Sequence, residues 1–149
     1  MAVTSGLYVL TFADVLDATD LALNLALDTH VINLYNSTKT TNQDTDTNYA
    51  LNGSTNELAT GGGYTRNTKT LSGTTPTIGL GATGILKYTW TTAVSWSAAT
   101  FTANGFILNA VTSGANIIAV AFGSDFTCTA GTFTITANAS GIFTIDLVP

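Results

Sequence analysis

Alternation at every second residue runs through the second half of the chain, and it confines that half to sheet. In GTFTITANASGIFTIDL, residues 131–147, Phe133, Ile135 and Ala137 alternate with Thr132, Thr134 and Thr136. Phe143, Ile145 and Leu147 alternate in turn with Thr144 and Asp146. Strand side chains point to opposite faces with a period of two, so each run has one apolar and one hydroxyl-rich face. Ala139, Ser140 and Gly141 separate the runs, and Gly supplies the positive φ of a short loop, so a closing hairpin is expected. The pattern begins upstream with TIGLG, GILKYTW, ATFTA, GFILNAV, NIIAVAF and FTCTA, mostly bounded by Gly, Ser, Asn or Asp. Many short strands at this spacing predict an all-β fold, an antiparallel sandwich or barrel-like domain.

A length of 149 residues suits a single domain. The reading divides it into an N-terminal segment (1–29), a long loop (37–56) and a strand-dense core (77–148). Residues 6–20 are ambiguous. LYVLTF favours a strand, whereas ADVLDA puts Phe12, Val15 and Leu16 on one helical face, and a short N-terminal helix is the preferred expectation. Leu21, Leu23, Leu25 and Leu27 have strand spacing although Leu and Ala are good helix formers, and this stretch is a candidate contact surface. HVINLYN reads as a strand. The polar run from 37 to 56 reads as a surface loop, long enough to suggest that a partner holds it.

Only 9% of residues are charged, against about 25% in an average globular protein. Such a surface suits contact with other subunits, because few charges must be desolvated. The net charge of −5 argues against nucleic acid and against an anionic membrane surface. Residues 1–12 carry none of the Lys or Arg that opens a secretory leader. Cys128, the single cysteine, lies in the alternating FTCTAG and reads as a small buried side chain.

No cofactor, metal or catalytic set is expected. His30 stands alone and reads as structural. Asp44, Asp46 and Asn48 resemble the start of a calcium loop, but Tyr49 replaces the required Gly and Thr55 the bidentate Glu. Gly61, Gly62 and Gly63 are not followed by the Lys of a phosphate loop. Trp90 and Trp96 could stack on sugar rings, which would make a glycan-binding module, but core or interface anchors are the preferred reading. The residues proposed to meet a partner are Asn42, Asp44, Asp46, Asn48, Tyr49, Arg66 and Trp96.

Four blocks resemble a widespread group of small bacteriophage virion proteins: LDTHVINLYNS, NELATGGGYTRNTKTLSG, VSWSAATFTANGFIL and AVAFGSDFTCTAGTFTITANASGIFTIDL. They occur in the family's order and cover most of the chain from Asp28 onward. The resemblance implies a non-enzymatic capsid decoration protein, made in the bacterial host cytoplasm and placed on the outside of the virion shell. It further implies the major capsid protein as partner, and a homotrimer is the preferred form. A tail, neck or head-fibre component is the alternative. The family strand after the Trp runs on through the place occupied here by Asn104-Gly105, a strong turn signal, and a continuous strand with a bulge is expected.

Overall fold

A computed structural model describes residues 3–8, 11, 25, 29–50, 54–71 and 77–147. Among the described residues seven strands, β1 (Gly6–Leu7), β2 (His30–Tyr35), β3 (Thr77–Leu80), β4 (Ile85–Thr89), β5 (Val94–Ala110), β6 (Asn116–Ile135) and β7 (Phe143–Asp146), form two antiparallel sheets. The larger has the order β1-β6-β5-β2 and the smaller β3-β4-β7. The expected all-β sandwich is therefore the observed class. The short N-terminal helix finds no support: Gly6 and Leu7 pair with Ala119 and Ile118 of β6, and residues 12–20 lie outside the described set. Of the leucine stretch only Leu25 is described, and it is buried in the core.

β2 is buried along its whole length because both of its faces are covered. Ile32 and Leu34 join Phe106, Leu108 and Ile117 in the principal core, where Tyr88 and Trp90 meet them. Opposite, Tyr35 packs with Val3, Tyr8, Ile107 and Ala119 in a second, smaller core. A strand covered on both sides loses the polar half of its alternation. HVINLY accordingly keeps its polar members, His30 and Asn33, only by bonding them. The Tyr88 hydroxyl and His30 Nδ1 lie 2.8 Å apart, which ties the two sheets together, and Asn33 Nδ2 donates to Asn109 Oδ1 at 2.6 Å.

β5 and β6 are far longer than the short runs read from the sequence. The register between them passes straight through Asn104-Gly105, so the turn signal is overridden and the continuous strand expected from the resemblance is observed. The irregularity falls on β6. Ala103 faces Phe126 and Gly105 faces Ala121, so a step of two residues on β5 is matched by a step of five on β6. The extra residues bulge outward around Gly123, whose φ is +83°. Asn104 Nδ2 braces the bulge by donating to Asp125 Oδ1 at 2.9 Å.

The closing hairpin is not formed. Its first run belongs to β6 and pairs with β5, Trp96 facing Phe133, whereas its second run is β7 and pairs with β4, Tyr88 facing Phe143. Residues 138–141 therefore cross between sheets, closed by Gly141 N–H donating to the Asn138 carbonyl at 2.8 Å. The division lets both apolar faces reach one core: Ile135 is buried within it, while Phe143 stacks on Tyr88 with centroids 5.2 Å apart.

Gly105 is where backbone meets backbone most closely inside the larger sheet. A Cβ there would lie 2.5 Å from the Val120 carbonyl oxygen and 2.9 Å from Val3 Cβ. Gly105→Ala is expected to cost about 1–3 kcal/mol through overpacking. Urea denaturation should show a lower midpoint with an unchanged slope.

Candidate interaction surface

In the polar stretch, residues 37–50 and 54–56 are described, and many of their polar groups bond within the chain. Asp46 Oδ2 accepts from Lys39 Nζ at 3.3 Å and from the Asn42 amide at 3.1 Å. Both members of this ion pair are largely buried, and the Lys39 ammonium lies 5.7 Å from the centre of the Tyr35 ring. Gln43 Nε2 reaches the Thr4 carbonyl at 2.9 Å, and Thr41 exchanges bonds with the Thr4 backbone. At the far end Asn116 N–H donates to the Thr47 carbonyl, Asn116 Nδ2 to the Asp46 carbonyl, and Tyr49 N–H to the Gly114 carbonyl. The stretch thus roofs the second core. In its described part, backbone groups such as the Asn42, Asp46 and Tyr49 amides find intramolecular acceptors.

Glu57 follows the loop and is 2% exposed. Its Oε2 accepts from the Tyr49 hydroxyl at 2.6 Å. Its Oε1 accepts from the Tyr64 hydroxyl at 2.5 Å and from the Asn67 amide at 3.2 Å. Tyr64 oxygen in turn accepts from Leu34 N–H of β2 at 3.0 Å. Arg66 does not pair with the carboxylate. Its Nε and Nη2 donate to the Leu58 and Glu57 carbonyls at 2.9 and 2.7 Å. The buried carboxylate is acceptable because charge-assisted donors replace its water.

These phenols are donors and not bases. Burial first, then the charge of Glu57, holds Tyr64 far above its ordinary value of 10.0, with the Leu34 amide opposing weakly. Burial and the hydrogen bond to Glu57 raise Tyr49, against a small opposing effect of Arg66. Tyr35 is raised by burial and by the Glu57 charge. Tyr8 is raised by burial and by Asp46, and Tyr88 by burial.

Of the seven residues proposed for a partner, five are spent inward. Asp46, Asn48, Tyr49 and Arg66 make the bonds just described or their neighbours, Asn48 Nδ2 donating to the Ser113 carbonyl at 3.2 Å. Trp96 is 4% exposed, packed on Phe133 and lying 5.5 Å beneath the Lys69 ammonium. Asn42 and Asp44 are exposed, joined by a local bond from the Asp44 amide to Asn42 Oδ1 at 3.0 Å. Trp90 is 3% exposed. Neither indole therefore offers a face on which a sugar could stack. Cys128, expected buried, is half-buried at the margin of the core. The Gly61–63 run has a packing role: Gly62 accepts from the Thr100 amide at 2.8 Å, and a side chain at Gly63 would meet the Ser97 carbonyl at 2.7 Å.

Sequence reasoning did not find the exposed apolar groups. Leu80 is 83% exposed on β3, with Ile78 beside it, and Leu147 follows β7. Phe126, on the bulge of β6, is 51% exposed. The outward face of β5 and β6 is a neutral ladder of hydroxyls, with Ser95 and Thr134 2.9 Å apart and Thr102 and Thr127 2.8 Å apart. No family model, curated protein or solved structure matches the chain.

Removing one phenol hydroxyl, as in Tyr64→Phe, leaves both Glu57 Oε1 and Leu34 N–H short of a partner and should cost about 1–3 kcal/mol. Chemical denaturation of the variant beside wild type measures it. The raised phenols also set an alkaline limit. Because the folded state holds them protonated, their contribution is complete below the unfolded value of 10.0 and is lost as pH rises above it. The urea midpoint should be flat in this respect up to that pH and fall beyond it, with tyrosinate absorbance appearing together with unfolding.

Proposed function

We propose that this chain is a structural protein of a bacteriophage particle, a decoration protein on the outside of the capsid with the major capsid protein as its partner. The reading rests on the ordered sequence blocks, and the observation that carries it furthest is the surface. Among the described residues, the charged groups are largely turned to internal use: Lys39 with Asp46, Arg66 on two carbonyls, and Lys69 over Trp96. What faces outward on β3, β5 and β6 is chiefly hydroxyl and apolar, with Asp125 on the bulge of β6 the charged exception among the described residues. Burying such a surface in a protein contact costs little desolvation of charge.

The mechanism is one of mass action and has no chemical step. Copies that bind the expanded shell and not its precursor shift the equilibrium toward the expanded form by the free energy of binding. A homotrimer is the preferred form, since a local threefold point of a shell accepts a closed ring of three.

Quantitative mass spectrometry of purified virions against the major capsid protein tests the reading. A ratio near one copy per capsid subunit, or a simple fraction of one, is expected. A few copies per particle would place the chain in the tail, neck or head fibre and remove the shell-stabilising role. Absence from the particle would remove the virion reading altogether.

A further inference from the structure

Two segments remote in sequence cover the second core and hold each other over it. Thr4 is the junction. Its carbonyl accepts from Gln43 Nε2 at 2.9 Å and from the Thr41 hydroxyl at 3.1 Å, and its amide donates back to Thr41 Oγ1 at 3.0 Å. Residues 3–8 and 39–47 therefore form one layer, a strap across the larger sheet. Its apolar grip is small. Val3 and Tyr8 meet Tyr35, Ile107 and Ala119 of the sheet, so that among the described residues this core has five buried members against eighteen in the principal one. Its strand pairing is short as well: Gly6 and Leu7 lie against Ala119 and Ile118, and Tyr8 N–H donates to the Ile117 carbonyl at 3.2 Å.

Closing the layer strands polar groups. Among the described residues Tyr8 Oη, Asn116 Oδ1 and Asn33 Oδ1 are buried with no hydrogen-bond partner. Tyr8 belongs to the strap, Asn116 Nδ2 donates to the strap carbonyl of Asp46 at 2.6 Å, and Asn33 shares the Tyr35 face of β2. Within the strap, Lys39 and Asp46 form an ion pair largely out of water, their side chains 4% and 13% exposed. Each stranded atom raises the free energy of the closed state, and so does the desolvation of the pair. Lifting the strap returns these groups to water and gives up a small apolar contact. Segments that open locally are those with few buried apolar contacts. The far end of the loop differs, because there the Glu57 carboxylate accepts three bonds, one of them from Tyr49.

We infer that residues 3–8 and 39–47 lift from the larger sheet as one unit while the sandwich stays folded, with Tyr49 on Glu57 as the fixed end. Opening bares Tyr35, Ile107 and Ala119 and frees the outer edge of β6 from Ile117 to Ala119. The strap is a gate over this face of the sheet, held shut at the Thr4 junction. The inference concerns the isolated chain in solution and stands apart from the virion reading.

Native-state hydrogen exchange, followed by NMR in sub-denaturing urea, tests it. Two buried groups report the two segments: the Tyr8 amide, and the Asn116 amide that donates to the Thr47 carbonyl at 2.9 Å. Both are expected to exchange with one common opening constant, about tenfold or more above that of the Leu34 and Leu58 amides, and with a weaker urea dependence than global unfolding. Gln43→Ala removes a bond at the junction and should speed exchange at Tyr8 and Asn116 alike, by about threefold or more. Tyr8→Phe removes a stranded hydroxyl and should slow exchange at both positions by about fivefold, where loss of a bonded hydroxyl would do the reverse. The inference is overturned if the two amides exchange only with global unfolding, if they open with different constants, if Gln43→Ala speeds one and spares the other, or if Tyr8→Phe speeds exchange. Wild-type exchange decides the first two points without either variant, should one of them fail to fold.

Discussion

A carboxylate removed from water must find donors, and Glu57 finds three. Much of the polar half of the chain is arranged to supply them. Tyr49 ends the loop that roofs the second core, Tyr64 hangs from the glycine run and also accepts from β2, and Asn67 turns the chain back toward β2. Arg66 then clamps the backbone of Glu57 and Leu58 from outside. The cost of a buried charge lacking these partners would be several kcal/mol, which makes the cluster cooperative: its members are useful only together. The cluster converts a long irregular segment into a fixed part of the sandwich.

The same logic orders the opposite end of the roof. Lys39 and Asp46 are rarely buried residue types, yet each has the other, and the Asn42 amide and the Tyr35 ring complete the site. The chain has few charges, and several serve as interior fasteners. The charges left outside, such as Asp44, Asp125 and Asp146, are few and scattered, so a chain of net charge −5 can present sheet faces made chiefly of hydroxyl and hydrocarbon.

Much of the sandwich was legible in the sequence, because period-two alternation is a local signal. β2, β3 and β4 fall where HVINLYN, TIGLG and GILKYTW predict them. Alternation tells which face a residue takes but not which strand lies beside it, and that is why the last two runs were paired with each other when they belong to different sheets. The Asn104-Gly105 signal failed for a related reason: long-range pairing with β6 outweighs a local turn preference. The Glu57 cluster was not legible at all. Tyr49, Glu57 and Tyr64 sit in polar sequence without periodicity, and the available hint was the placing of two tyrosines in a segment otherwise nearly free of apolar groups. A long polar loop, a scarce cation and an indole point equally to a partner and to the interior, and of the seven residues so marked Asp46, Asn48, Tyr49, Arg66 and Trp96 are engaged within the fold.

The crossing at residues 138–141 has a consequence in time. Because β7 pairs with β4, with Ile85 opposite Asp146, the smaller sheet cannot be completed until the whole of β5 and β6 has been made. Closing so long a loop in an open chain is entropically slow, but a formed β5–β6 ribbon brings its ends together and shortens the effective loop. The long hairpin therefore acts as the splint on which the last strand is set, and the order of assembly is written into the strand order: ribbon first, smaller sheet last.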